Sequence, residues 1–294
     1  MRRSRPIIIF LYFTAFFSFF MALFFWFYPK KQNRIKVLTM KPGRNMTRAD
    51  LLYDSTLMTP NAVVVLCPGY NGTGREFLLD EQWQKFAKKN NLGLVSLSFA
   101  SHEKDLSNGK GYYYVWRESG KIFLDGIKQI YKKDLPIMAF GFSGGAHFTS
   151  RFVEWKPERI VAWCAYAAGW WDHPKNFINS PPGIVACGTR DYRYQASYNY
   201  FIAGRKYNRP WLWISLYKND HNMNSQLEVF TRHFFQAVLD NTQGIWIDIN
   251  RGNVLNFTPP KPLWEKTAWL PSSQLLDEWK YIVGLAENKV SCRP

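Results

Sequence analysis

The stretch that decides the fold is residues 135–155, which read LPIMAFGFSGGAHFTSRFVEW. Residues 135–140 are mostly apolar and predict a buried strand, whereas residues 146–155 predict a helix that ends before Pro157. The five residues between them have the pattern G-x-S-x-G, with Ser143 at the centre. Glycines are expected there because side chains would collide with the strand and the helix. A Gly/Ser turn without chemistry could contain the same residues, but the flanking strand and helix favour a nucleophilic serine.

A serine nucleophile needs a histidine to take its proton and an acid to orient that histidine. Where the serine stands at a strand-to-helix turn, the acid and then the histidine follow it along the chain. Asp191 comes just after the predicted strand 183–188, and His221 comes after the predicted strand 211–217. Catalytic groups collect at the carboxyl ends of strands in open α/β sheets. The sequence therefore predicts a catalytic triad of Ser143, Asp191 and His221.

Other acids and histidines compete for these roles. Asp172 follows the predicted strand 160–168, from which some hydrolases take their acid, but the turn Gly-Thr-Arg-Asp favours Asp191. Asp220 adjoins His221, and the side chains of adjacent residues diverge. The remaining histidines lie on predicted helices or in loops that come too early in the chain: His102, His147, His173 and His233. His221 is the histidine with the expected order and context.

Attack on a carbonyl group produces a tetrahedral oxyanion, and one preorganised N–H donor facing it is worth about 3–4 kcal/mol. The backbone N–H of Gly144, directly after the nucleophile, is expected to be one donor. The second is expected from Tyr70, in the glycine-rich loop 68–74 that follows the predicted strand 62–67. Glycine-rich turns also bind phosphates, but this loop lacks the P-loop lysine and does not fit G-x-G-x-x-G.

These motifs resemble those of serine esterases in the α/β-hydrolase superfamily. Residues 141–169 are similar to feruloyl-esterase and polyhydroxybutyrate-depolymerase-like members, through the motifs GFSGGA, KPER and YAAG. The resemblance covers about residues 60–240 and implies an α/β-hydrolase fold and cleavage of a carboxylic ester, small or polymer-linked, without a metal or organic cofactor. One departure is Pro68-Gly69 in the oxyanion loop, where many relatives have His-Gly.

The rest of the chain is consistent with one α/β domain. Strands that alternate with helices predict a mostly parallel central sheet with helices on both faces. The cysteines lack C-x-x-C spacing, and three of them lie in predicted strands, which favours buried thiols over disulfides or metal ligands. Aromatic residues at 112–116 and 170–171 are candidates for a substrate pocket or for packing. A serine peptidase or amidase of the same fold, or a non-catalytic hydrolase-like binding protein, are the alternatives to an esterase.

The N-terminus predicts a membrane anchor. Residues 7–28 carry no formal charge, are long enough to span a bilayer as a helix, and are not followed by a small-residue cleavage site. Half of the net charge of +16 lies in residues 1–41, which favours attraction to anionic lipid over nucleic-acid binding. We expect an anchor with a basic juxtamembrane segment over residues 1–40, and a hydrolase domain over 41–294 with an extension from about residue 241. The flanking charges leave the orientation open, with the exported side preferred.

Overall fold

The computed structural model describes residues 34–176 and 179–286. The described strands and helices belong to a compact unit that begins at Ile35, a few residues before the predicted boundary at 41. The predicted membrane helix at residues 7–28 lies outside the described residues. Over the described ranges, no helix is both long enough and apolar enough to cross a membrane.

The centre of the fold is a twisted arrangement of parallel strands with an antiparallel edge. Within the described residues the strands are β1 Ile35–Thr39, β2 Arg48–Asp54, β3 Ala62–Cys67, β4 Leu92–Ala100, β5 Ile137–Phe142, β6 Ile160–Tyr166, β7 Gly183–Gly188 and β8 Trp211–Leu216. They form one sheet in the order β1-β2-β4-β3-β5-β6-β7-β8. β2 is antiparallel to both β1 and β4, and the pairs from β4 to β8 are parallel. The mostly parallel sheet is as predicted, whereas the sequence pattern did not predict β1 and β2.

Helices connect the parallel strands. They are α1 Arg75–Leu79, α2 Glu81–Lys89, α3 Glu103–Ser107, α4 Ser119–Tyr131, α5 Gly144–Trp155, α6 Tyr194–Arg205 and α7 Ser225–Leu239. Every residue of β3, β4 and β7 is buried, as expected for strands that are covered on both faces. α1 and α2 are separate helices, because the Asp80 carboxylate accepts hydrogen bonds from the backbone of Gln82 and Trp83 and so begins α2.

The C-terminal extension packs against the last strand of the central sheet. It contains β9 Ile245–Asp248, β10 Val254–Leu255 and β11 Thr267–Leu270, which form a small antiparallel sheet in the order β10-β9-β11, followed by α8 Leu276–Ile282. The buried indole of Trp279 in α8 donates to the carbonyl of Trp213 in β8 at 2.9 Å. The buried Arg205 guanidinium of α6 donates to the carbonyl oxygens of Trp264 and Thr267. These bonds fasten the extension to the domain.

Candidate active site

Ser143 stands at a sharp turn between β5 and α5. Its backbone has φ 50° and ψ −110°, a conformation that residues with side chains rarely adopt, and its N–H donates to the Tyr166 carbonyl in β6 at 2.8 Å. A methyl group on Gly141 would overlap the Gly145 carbonyl, and one on Gly145 would overlap the Cys67 carbonyl in β3. The two glycines of the pattern are therefore required by close packing of backbone against backbone, as the sequence predicted.

Replacing Gly145 with alanine is expected to destabilise the fold by at least about 3 kcal/mol, the upper end of ordinary overpacking, because a rigid backbone cannot move aside. The matched control is Gly69→Ala, whose methyl group would lie 3.7 Å from its nearest neighbour, the Phe142 ring, which is ordinary van der Waals contact. Thermal unfolding followed by circular dichroism should show a large fall in Tm for Gly145→Ala and little change for Gly69→Ala. Similar Tm values for the two variants would contradict this account of the turn.

The structure brings the three residues of the predicted triad together. His221 Nε2 lies 2.9 Å from Ser143 Oγ, and His221 Nδ1 lies 2.6 Å from Asp191 Oδ2. The imidazole ring is stacked on Phe142, with ring centroids 5.0 Å apart. A carboxylate only accepts hydrogen bonds, so Nδ1 carries the proton and Nε2 presents its lone pair to the serine hydroxyl. This is the geometry that the removal of a proton from Ser143 requires.

The Asp191 carboxylate is buried and held by several donors. Its Oδ1 accepts hydrogen bonds from the Arg193 backbone N–H at 3.0 Å and from the Arg193 guanidinium at 3.1 Å. Burial raises the pKa of the Asp191 carboxyl, but the hydrogen bonds from Arg193 and His221 outweigh it and leave the pKa lowered. The carboxylate therefore stays ionised down to pH values below its ordinary range. The sequence pattern did not mark Arg193, although its position two residues after Asp191 could have indicated this contact.

The competing residues have other partners. The Asp172 carboxylate accepts hydrogen bonds from Arg151 Nε at 2.9 Å and from Arg151 Nη2 at 2.8 Å, instead of contacting His221. The buried His147 ring accepts a hydrogen bond from the Gly169 N–H at 3.1 Å. His173 and His233 bond to Tyr207 and Glu278, and His102 stands at the N-terminal cap of α3.

The two predicted oxyanion donors lie next to each other. A methyl group built on Gly144 would be 2.7 Å from the Tyr70 backbone nitrogen. Among the described residues, neither of these amides has a hydrogen-bond partner. The loop that carries Tyr70 is stabilised by Arg48 of β2, whose guanidinium donates to the carbonyl oxygens of Asn71 and Gly72. No sequence signal marked Arg48 for this role.

A further clamp on the loop comes from the Asn71 side chain. Its Nδ2 donates to the Ser101 carbonyl at 3.0 Å, and its Oδ1 accepts from the Ser101 N–H at 3.1 Å. Asn71 has φ 53°, the left-handed conformation that asparagine tolerates better than most residues. These bonds fix the backbone beside Tyr70 although the loop has Pro68-Gly69 in place of His-Gly.

A cavity of about 340 Å³ opens beside Ser143. Its walls are mainly aromatic and polar, and its lining includes Tyr70, Tyr113, His147, Trp170, Tyr192 and Arg193. Burial lowers the pKa of His147 well below its ordinary value, and the cations of Arg151 and Arg193 lower it further. The histidine in the cavity wall is therefore neutral at physiological pH. Of the predicted aromatic candidates, Tyr113 and Trp170 line this cavity.

The cysteines of the described residues are buried and are not grouped as metal ligands. In residues 34–176 and 179–286, no three His, Cys, Asp or Glu side chains are grouped so that they could hold a metal ion. Cys67, Cys164 and Cys187 are buried free thiols, as predicted, and burial raises the pKa of each to about 12. The fourth cysteine, Cys292, lies outside the described residues.

Known proteins resemble this chain in structure. No protein-family model matches it, and no curated protein matches its sequence. An S-formylglutathione hydrolase from Agrobacterium tumefaciens superposes with a TM-score of 0.53 at 14% identity, covering 69% of this chain and 94% of that one. Poly(aspartic acid) hydrolase-1 from Sphingomonas sp. KT-1 gives 0.52 at 15% identity, covering 69% and 98%. A ferulic acid esterase gives 0.50 at 13% identity, covering 70% and 96%. At these identities the likeness is one of fold, and it shows that the chain has an α/β-hydrolase-like fold.

Proposed function

We propose that this protein is a serine hydrolase that cleaves carboxylic esters through an acyl-enzyme intermediate. The observation that carries the proposal is the continuous hydrogen-bond chain from Ser143 Oγ through His221 to the buried Asp191, with its Ser143 end in the wall of a cavity. The backbone amides of Gly144 and Tyr70, which have no hydrogen-bond partner among the described residues, lie beside it. A nucleophile, an oriented base and oxyanion donors are the parts that acyl transfer requires.

The proposed reaction has two halves. Ser143 Oγ attacks the ester carbonyl carbon while His221 Nε2 takes the hydroxyl proton, and the Asp191 carboxylate stabilises the imidazolium that forms. The tetrahedral intermediate then collapses, and the alcohol leaves with the proton from Nε2. A water molecule, deprotonated by the same nitrogen, attacks the acyl group on Ser143. Collapse of the second intermediate releases the carboxylic acid and restores the serine hydroxyl.

The fold alone does not determine whether an ester or an amide bond is cleaved. The three similar structures are named as an S-formylglutathione hydrolase, a poly(aspartic acid) hydrolase and a ferulic acid esterase. We place an ester first because the motifs between 141 and 169 resemble those of serine esterases. A peptidase or amidase remains the alternative, and a matched ester and anilide separate the two. A non-catalytic binding protein would have no need for the hydrogen-bond chain at Ser143.

Short esters are expected to be the better substrates. The cavity of about 340 Å³ is at the low end of the range for small-molecule sites, so a short acyl group fits inside it, whereas a long one would extend beyond its walls. We expect kcat/KM for p-nitrophenyl acetate and butyrate to exceed that for the laurate by at least about tenfold, the factor that 1.4 kcal/mol represents. The full-length protein should also react with a fluorophosphonate at Ser143, as detected by intact-protein and peptide mass spectrometry.

The controls decide between the alternatives. Ser143→Ala should neither be labelled nor turn over the esters. Faster cleavage of p-nitroacetanilide than of p-nitrophenyl acetate would replace the esterase by an amidase, and a preference for the laurate would contradict the small-cavity argument. Absence of labelling and turnover in the wild-type protein would contradict the proposed function.

A further inference from the structure

Polar atoms from three residues converge on the space that Gly144 leaves open. A methyl group built on Gly144 would lie 2.7 Å from the Tyr70 backbone nitrogen, 2.8 Å from Tyr113 Oη and 2.9 Å from Tyr112 Oη. Two phenol hydroxyls therefore reach the same place as the Tyr70 amide. Tyr113 also lines the cavity that contains Ser143.

The Tyr113 ring is held in place by its neighbours. It is almost completely buried, at 4% exposure, and it stacks on the His147 ring with centroids 4.6 Å apart. On another side it meets the Tyr112 ring edge-on, with centroids 4.7 Å apart. The ring is therefore preorganised, so its hydroxyl does not lose much freedom when it donates a hydrogen bond.

The two phenol hydroxyls are coupled to the backbone of the loop that carries Tyr70. The Asn71 backbone N–H donates to Tyr112 Oη at 3.2 Å. Hydrogen bonding between the phenols raises the pKa of Tyr112 and lowers that of Tyr113, as expected when Tyr112 is the donor. Among the described residues, the Tyr113 hydroxyl has no hydrogen-bond partner besides Tyr112. Burial raises the pKa of Tyr113 to about 12, although the hydrogen bond with Tyr112 opposes this. The phenol is thus a protonated donor at neutral pH.

We propose that the Tyr113 hydroxyl is a third donor to the oxyanion, beside the amides of Gly144 and Tyr70, and that Tyr112 positions it. The assignment rests on the proposed ester hydrolysis at Ser143. A fixed, desolvated O–H gains most when negative charge develops on the carbonyl oxygen, so its effect falls on the transition state. The assignment also explains why residue 144 is glycine, since any side chain would fill the space that the hydroxyls share.

The test is Tyr113→Phe, which removes the hydroxyl and keeps the ring. We expect kcat for p-nitrophenyl acetate to fall about 10²-fold with KM little changed, as for the loss of one oxyanion donor. The Ki of a trifluoromethyl ketone, which forms an oxyanion-bearing adduct with Ser143, should rise in proportion to the loss of kcat/KM. Tyr112→Phe should lower kcat by a smaller factor, also without a change in KM.

Tyr114→Phe is the matched control, because its hydroxyl donates to the Leu106 carbonyl at 3.2 Å and lies outside the cavity lining. It should keep wild-type kcat, KM and Ki. Unchanged kcat and Ki in Tyr113→Phe, or a loss confined to KM, would overturn the proposal. If Tyr113→Phe is not folded by circular dichroism, Tyr112→Phe decides by the same two measurements. These results apply once the wild-type protein is labelled and active, whereas an inert wild-type protein overturns the proposed function itself.

Discussion

A variant with Ser143 replaced by alanine is expected to lose roughly 10⁵-fold in kcat for ester hydrolysis, because removal of a triad nucleophile leaves only binding and oxyanion stabilisation. His221→Ala should lose a similar factor, since its Nε2 lies 2.9 Å from Ser143 Oγ and no other described histidine contacts the serine. The double variant should lose little more than either single variant, because the residues act as a unit. Initial rates with p-nitrophenyl acetate at matched active protein concentration measure all three.

The control for His221 is His233→Gln. His233 is an exposed residue of α7 that bonds to Glu278 at 2.9 Å, far from the cavity lining, so the variant should keep wild-type kcat. Near-wild-type hydrolysis by Ser143→Ala, with its Tm unchanged, would show that the ester is cleaved elsewhere. Losses that multiply in the double variant would show that Ser143 and His221 do not work together.

The second large effect is expected from Asp191→Asn, with roughly a 10⁴-fold loss in kcat, because an amide cannot hold the imidazole in the required tautomer or stabilise its charged form. The matched control is Asp172→Asn, the competing acid. Asp172 contacts Arg151, whose side chain is almost fully buried, so this variant should lose stability by leaving a buried charge without its partner. Its kcat should stay within a few-fold of wild type.

Two measurements on each variant distinguish these roles. Asp191→Asn should lose more kcat than Asp172→Asn. For Asp172→Asn, the fall in Tm should be large relative to the fall in kcat. An equal kcat loss in the two variants would contradict the assignment of Asp191 as the acid that orients His221.

The central part of the fold could be predicted because its strands are short, apolar and separated by turn residues. Residues 62–67 and residues 183–188 form strands with the predicted bounds. The antiparallel strands β1 and β2 were not predicted, because their sequences IKVLT and RADLLYD do not alternate cleanly between apolar and polar residues. β2 pairs with both β1 and β4, and the long-range contact with β4 leaves no local pattern in the sequence.

The order of Ser143, Asp191 and His221 could be inferred because each follows its own strand at one edge of the sheet. The groups that support these three residues and the oxyanion donors could not be inferred from the sequence. Arg48 reaches the oxyanion loop from β2, and Tyr113 reaches Gly144 from a loop before α4. Both contacts depend on chain segments far apart in sequence, so only the three-dimensional arrangement reveals them.

The anchoring of α8 on β8 has a consequence for how the protein acquires activity during synthesis. His221 lies just beyond the end of β8, and that strand is completed by the indole of Trp279 and by the Ile282 carbonyl, which accepts from the Tyr217 N–H. Trp279 and Ile282 follow His221 by about sixty positions in the chain, so both are made after it. A chain that ends before Trp279 lacks both hydrogen bonds to β8 and to the residue that follows it, on the side of the strand that leads to His221.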